Sequence, residues 1–396
     1  MRLTTRPISS ELSILPNVFV FAGAGTGKTE RIVNESIGRV AGKERILVLT
    51  YTENNQKEVS NRFVLKHRGA HPAFTVKGLL TFYLEEIIRP YQRAIFPKRI
   101  EGFILNESDP HKRNGRNIAG RSEKLANGGF NPLYYLTPCR TKAHSALLAK
   151  FACAVIKETG GAPIRRLAEI YDSLYFDECQ DMVGWDFEVL SLLAKSKQFS
   201  ITCVGDFRQT IYETANTTKK PGTGPEKVAY LEKLKFVREE MNESHRSIQE
   251  ICDYAGRLHA AEGYPSLVSK VVAPDEYGMH QGVLIVRESD APSYLALYQP
   301  VILRHSIKSG TEYDGLALRR MTFGKSKGLG FPRTAIIPTR PHLQFLQGDP
   351  NAFGNGKTEE ARNKFYVALT RAKYSVAFIV PDAIAGECDL PVWPRP

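Results

Sequence analysis

The chain is poor in paired cysteine. Its six cysteines (Cys139, Cys153, Cys179, Cys203, Cys252 and Cys388) are scattered, and none forms a CxxC pair. That spacing argues against a zinc ribbon, an iron–sulfur cluster or a disulfide framework, and it fits a reducing compartment. Met1-Arg2-Leu3 leads into no apolar signal segment, and no apolar run approaches the length of a membrane span. The expectation is a cytoplasmic protein with no membrane partner. Short-period repeats and low-complexity tails are missing too. Acidic residues are the minority, 42 against 54 basic ones, for a formal charge of +12. Such an excess suits a polyanionic partner, and it also serves plain solubility, so charge alone leaves both readings open. What is present is a globular composition, 42% hydrophobic and 24% charged, over 396 residues. A chain of that length is too long for one typical core and implies two or three domains.

One stretch organises the rest. Val18-Phe19-Val20-Phe21 reads as a buried strand, runs into Ala22-Gly23-Ala24-Gly25-Thr26-Gly27-Lys28-Thr29, and a helix follows from Glu30. Glycines at 23, 25 and 27 let the backbone turn tightly, so that its N–H groups point at a phosphate. The helix start adds the positive end of its dipole. Lys28 is placed to reach the β- and γ-phosphates and the Thr29 hydroxyl to ligate Mg²⁺. Ala22 holds the first position of the P-loop pattern, where glycine is usual. The chain is expected to bind a nucleoside triphosphate.

Further along, Ile46–Thr50 reads as a second buried strand ending in Tyr51-Thr52-Glu53-Asn54. Open α/β sheets place ligands at such strand tips, although a helix cap is the commoner use of threonines like Thr50 and Thr52. Between Arg89 and Lys124 nine basic residues face four acidic ones, with Tyr91, Phe96 and Phe103 interleaved. That mixture suits a surface tracking phosphates and stacking bases, and equally a solvated, loop-rich insertion. Ser173–Phe176 leads into Asp177-Glu178-Cys179-Gln180-Asp181. Two adjacent acids are costly side by side unless a cation or a water-activating task employs them. Ile201–Val204 is another strand with a polar tip, and Glu213–Glu226 reads as a loop. The second half continues with strands at Val283–Val286, Val301–Leu303, Ala335–Ile337 and Ser375–Val380 and a helix at Glu359–Arg371, without a P-loop of its own.

Taken in order, AGAGTGKT (22–29), LTYT (49–52), FDECQD (176–181), VGDFRQTIY (204–212), NESHRS (242–247), MTFGKSKGLGF (321–331) and FYVALTRAK (365–373) resemble motifs I, Ia, II, III, IV, V and VI of the UvrD/Rep/PcrA-type superfamily 1A DNA helicases. The resemblance spans Phe19 to Lys373. It implies an α/β fold of two RecA-like P-loop NTPase domains, with ATP and Mg²⁺ in the cleft between them and single-stranded DNA across the top. By position, Asp177 resembles the Mg²⁺ partner and Glu178 the base that activates water. Gln209 corresponds to the γ-phosphate sensor, and Arg246 and Arg371 to arginine fingers. Thr50, Thr52, Asn54, Thr75, Tyr212 and Thr322 match DNA-facing positions.

Departures from the family pattern matter as well. No glutamine precedes Gln56, His245 stands where a tyrosine stacks on adenine, and Gly330 replaces a glutamate that reaches the sugar. Gly324 takes the place of a DNA-contacting histidine, and no tryptophan follows Tyr212. Spacing implies a first RecA-like domain at 1–88 and 162–240, a helical 1B-like insertion at 89–161, and a second RecA-like domain at 241–396. The interval from Arg246 to Thr322 leaves no room for a 2B domain, and about two dozen residues after Lys373 leave none for a fused nuclease. The resemblance therefore implies a DNA-stimulated ATPase translocating 3′→5′ on single-stranded or tailed DNA. An alternative is a nucleotide-gated DNA sensor that regulates a partner nuclease with little unwinding. Compact UvrD-like proteins encoded beside OLD-family nucleases in Gabija-type antiviral defence are similar in outline.

Overall fold

Strand side chains alternate between the two faces of a sheet, and that period explains both cores of this molecule. A computed structural model describes residues 16–106, 108–211, 218–278, 280–354 and 359–396. Strands Val18–Ala22 (β1), Ile46–Thr50 (β2), Phe74–Gly78 (β3), Ser173–Asp177 (β4), Ser200–Gly205 (β5) and Val237–Met241 (β6) form one sheet in the order β6-β1-β5-β4-β2-β3. Every pairing in it is parallel. Phe19, Phe21, Leu47, Leu49, Leu174 and Phe176 point to one face, and Val20, Ala22, Ile46, Val48, Tyr175 and Val204 to the other. Both faces are covered, which is why these strands read as continuous apolar runs. Helices Lys28–Ala41 and Glu53–His67 cover the second face through Ile32, Val33, Val59 and Phe63. Leu148–Glu158 and Trp185–Ser196 cover the first through Phe151, Val155, Phe187 and Leu190. Each such large side chain, fully buried, contributes about 1.5–3 kcal/mol.

The second half repeats the plan. Gly282–Arg287 (β7), Val301–Arg304 (β8), Arg320–Thr322 (β9), Phe331–Ile337 (β10) and Ala372–Val380 (β11) form a five-stranded sheet, order β7-β11-β10-β8-β9, again all parallel. Ile285, Leu303, Ile336 and Phe378 pack under helices Gln249–Gly256 and Glu359–Leu369. Leu284, Ile302, Ala335 and Ile379 pack on the other face under Ala291–Tyr298. The fold is thus α/β, built on two parallel sheets of the RecA-like kind. Among the described residues, no helix is long and apolar enough to cross a membrane.

The apolar runs found in the sequence are all strands here, and the helix expected at Glu359–Arg371 ends two residues early, at Leu369. Three edge strands lie outside the continuous apolar runs: β3, β6 and β9. β6 (VREEM) lies at a sheet edge and keeps polar side chains in water. The stretch read as a loop, Glu213–Glu226, differs at its end, because Thr223 caps a helix that starts at Gly224; residues 212–217 fall outside the described ones. The insertion expected to be helical is built differently up to Leu147. Gly102–Ile104 pairs with Lys142–His144, and Lys112–Arg113 pairs with Arg116–Asn117 across Asn114-Gly115. Its Gly/Asn-rich composition favours turns over helix. Among the described residues of the insertion, only Leu148–Glu158 is a helix of length, and it belongs to the first sheet's core along with Phe96 and Tyr135.

Candidate nucleotide-binding and catalytic cleft

Because the strands of the first sheet are parallel, their C-terminal ends share one edge, and the polar tips found in the sequence meet there. β1 ends at the fully buried Ala22, and the chain turns through Gly25 (φ 75°) and Gly27 (φ 80°) into the helix that starts at Lys28. At Gly25 the left-handed backbone and a close neighbour both require glycine, since a Cβ would lie 2.5 Å from that of Arg246. Within the loop the Thr26 hydroxyl donates to the Gly23 carbonyl (2.9 Å) and Lys28 Nζ to the same oxygen (3.4 Å). Ala24 O accepts from Ser244 Oγ (3.2 Å), and Gly25 O from the His245 N–H (2.9 Å). The second half of the chain is therefore pressed against the loop.

Asp177 closes β4 and is buried, while Glu178 follows in a left-handed conformation (φ 53°), its N–H donating to Asp177 Oδ1 (2.9 Å). Burial and then the neighbouring Glu178 push Asp177 up to about 7. Burial would raise Glu178 as well, yet Lys28, Lys327 and a hydrogen bond from Gln180 Nε2 outweigh it and hold Glu178 below the usual carboxylate range. The two acids thus differ: Glu178 is the one held toward its charged form and Asp177 the one pushed toward its neutral form.

Across the cleft stand two arginines. Arg371, in the turn between Glu359–Leu369 and β11, is 1% exposed. Its Nε donates to Val367 O (2.9 Å), Nη1 to Leu329 O (3.1 Å), and Nη2 to Thr370 Oγ1 (3.0 Å) and Gln209 Oε1 (3.4 Å). Arg246 donates through Nη1 to Thr370 O (3.3 Å). Burial lowers the pKa of both, and for Arg371 the neighbouring Arg246 lowers it further. Among the described residues neither forms an ion pair with a carboxylate. Lys28, Thr29, Glu178, Gln209, His245, Arg246 and Arg371 all line one cleft of about 630 Å³. Asp177 lies beside it, on a small neighbouring cavity that Glu178 also borders.

The DNA-facing candidates separate. Thr52 caps helix Glu53–His67, its hydroxyl accepting from the Asn55 N–H (3.2 Å), so for this residue the cap reading holds. Thr52 and Asn54 also line the 630 Å³ cleft. Thr50 is 1% exposed, its hydroxyl donating to Thr52 O (3.3 Å). Thr75 and Thr322 lie outside the cleft, half-buried on β3 and at the end of β9. Tyr212 falls outside the described residues. Three contributors had no assigned task in the sequence. Lys327, from the second half, reaches both Asp181 oxygens (2.8 Å each) and lies 3.8 Å from Glu178 Oε2. Asp206 accepts from Gln209 Nε2 (2.7 Å), and the Tyr366 hydroxyl lies 3.4 Å from it. Their only sequence signal was membership of the motif strings, since the pairings join residues 146 and 160 positions apart.

Comparison with known proteins adds the following. A family model described as an AAA domain matches residues 9–215. No curated protein matches this chain. A solved complex of arterivirus nonstructural protein 10, a helicase, with DNA is similar over 92% of this chain at 14% identity and a TM-score of 0.43. This chain spans 60% of the length of that one.

Proposed function

We propose that this chain, which belongs to the AAA domain family of nucleotide-binding proteins, is an ATP-driven DNA motor of the UvrD/Rep/PcrA type. It hydrolyses ATP when stimulated by single-stranded DNA and translocates 3′→5′. One observation carries the reading. Two arginines with no carboxylate partner among the described residues, Arg371 buried and Arg246 half-buried, converge from the second half on a cleft whose first half holds a P-loop lysine and a half-buried glutamate kept below the usual carboxylate range. Such a cleft favours a polyanion that gains charge at its far end during reaction, as a transferred phosphoryl group does.

In this reading Lys28 and the loop N–H groups hold the β- and γ-phosphates. Thr29 and Asp177 would hold Mg²⁺, which neutralises phosphate charge when bound; the oxygen donors and the raised pKa of Asp177 fit such an ion. Glu178 takes the proton of the attacking water, Gln209 orients that water, and Arg246 and Arg371 meet the charge developing on the phosphoryl oxygens. His245, which lines the same cleft, is assigned to the adenine. Thr52, Asn54, Thr75, Tyr212 and Thr322 are assigned to the DNA track, Thr50 being buried and bonded to Thr52 O, and the domains are divided at 1–88 with 162–240, 89–161, and 241–396. With two halves of a site on two domains, each turnover opens and closes the cleft and advances the strand. A chain without a 2B domain separates long duplexes poorly unless a partner, such as a nuclease, holds the junction. The test is steady-state ATPase activity with and without single-stranded DNA, alongside Lys28→Ala. Turnover that rises with DNA and disappears in Lys28→Ala is expected; turnover indifferent to DNA would remove the motor reading.

A further inference from the structure

The tip of β5 carries a buried cation that the scheme above leaves without a task. Arg208 is 2% exposed. Its Nε donates to Asp206 Oδ1 (3.0 Å) and its Nη1 to Pro265 O (3.4 Å), while Nη2 is buried with no hydrogen-bond partner among the described residues. Around the guanidinium stand the rings of Phe21 from β1 (5.8 Å) and, from the second half, Tyr264 (5.8 Å) and Tyr366 (5.1 Å). The socket is close-packed: at Gly23 of the P-loop a Cβ would come within 2.8 Å of Nη2 and 2.2 Å of Leu267 Cδ2, so a larger residue there would displace both side chains. A side chain of the first half is thereby seated in a pocket that the second half completes.

What Arg208 touches connects it to the reaction. Asp206 is fully buried, and a carboxylate there keeps its charge only with a compensating cation. Arg208 is the nearest such group, and it heads the interactions that hold Asp206 below its ordinary range against the effect of burial. An ionised carboxylate only accepts hydrogen bonds, so Asp206 fixes which end of the Gln209 amide faces it: Nε2 at 2.7 Å. The other end, Oε1, is left toward the cleft and Arg371 Nη2 at 3.4 Å. Tyr366, which packs on Arg208 and also lies 3.4 Å from Asp206, sits on the helix that leads into Arg371.

We infer that Arg208 is a positioning residue which, through Asp206, turns the Gln209 amide to the orientation hydrolysis requires only while the second half is seated against the first. The inference rests on the role given to Gln209 above. If Arg208 loses its charge, Asp206 takes up a proton and can donate to Gln209 Oε1, so the amide turns over and its carbonyl leaves the cleft. Nucleotide affinity, set by the P-loop, stays unchanged.

A double-mutant cycle with Gln209→Ala tests this in the full chain. Arg208→Gln is expected to lower kcat at least about tenfold with KM for ATP within about twofold of wild type, and to lower kcat by less than about twofold when Gln209 is already alanine. Tyr366→Phe, a gentler change that serves if Arg208→Gln does not fold, should lower kcat about threefold with the same disappearance in the Gln209→Ala background. Equal fold-losses in both backgrounds, or a loss carried by KM, would overturn the inference and make Arg208 a packing residue. A wild-type chain without ATP turnover would overturn the reading of the cleft instead, and this inference with it.

Discussion

The cleft holds two like-charged pairs, each of one buried and one half-buried member, Asp177 with Glu178 on one wall and Arg371 with Arg246 on the other, and they relieve their repulsion differently. The carboxylates can trade a proton: Asp177 rises to about 7 while Glu178 stays ionised between lysines. Arginine has no such exit, because a guanidinium keeps its proton even where burial and a like neighbour lower its pKa. The arginines are instead held by carbonyl oxygens of Thr370, Val367 and Leu329, which satisfy N–H groups without cancelling charge. One wall is thus a proton-sharing site suited to a cation and a water. The other is a fixed positive charge waiting for an anion.

Breaking the carboxylate wall should have a large effect. Glu178→Gln keeps the shape and removes the proposed base, so kcat on single-stranded DNA should fall by about 10²–10⁴ while nucleotide binding persists. A rate within a few-fold of wild type in a rapid-quench assay would assign the base elsewhere. On the arginine wall the expected sign reverses for stability. Arg246→Met removes a charge that burial penalises, so the nucleotide-free protein should gain on the order of 0.5–2 kcal/mol in denaturant unfolding even as turnover collapses. A loss of stability instead would mean that the Thr370 contact outweighs the repulsion.

How much of this was legible in the sequence follows from the range of each interaction. The P-loop and the Asp177-Glu178 pair are local: strand, turn and helix sit within a dozen residues, and the chemistry is visible in the string itself. Arg246 and Arg371 were reached through family resemblance alone, because nothing local distinguishes an arginine aimed into a cleft from one in water. Lys327 with Asp181, and Arg208 with Tyr366, were invisible because the fold alone brings them together. β3, β6 and β9 are edge strands and lack the continuous apolar run of the inner ones: β3 alternates Phe74 and Val76 with polar residues, and β6 and β9 are mostly polar.

The two halves should also differ toward acid, though more gently. Burial holds His342 at about 3 and His280 at about 4 in the second half, and His144 at about 4 in the insertion. A depressed histidine pKa means that the unfolded chain binds the proton first. Stability contributed by each is complete above about 6.5 and falls by about 1.4 kcal/mol per pH unit below it, down to the folded value. Urea titrations from pH 7 to 4 should show this slope, and His342→Phe, stacked against Phe365 at 4.3 Å, should flatten it by one histidine's share. An unchanged slope would place the acid sensitivity elsewhere. The smallest effect belongs to the basic insertion. If the exposed Lys112–Asn117 hairpin contacts phosphates, replacing Arg113 and Arg116 by alanine should reduce the salt dependence of single-stranded DNA binding by about 0.7 of a log unit per lost contact. Identical slopes would return the hairpin to a solvated role.

The central claim is that each half of the molecule supplies half of one hydrolytic site. Single-turnover hydrolysis of pre-bound ATP on saturating single-stranded DNA, compared between wild type and Arg371→Ala, tests it most directly. The account predicts nucleotide affinity within about tenfold of wild type and a hydrolysis rate lower by about 10³–10⁵, the scale of a lost arginine finger. Hydrolysis by Arg371→Ala at the wild-type rate would contradict it.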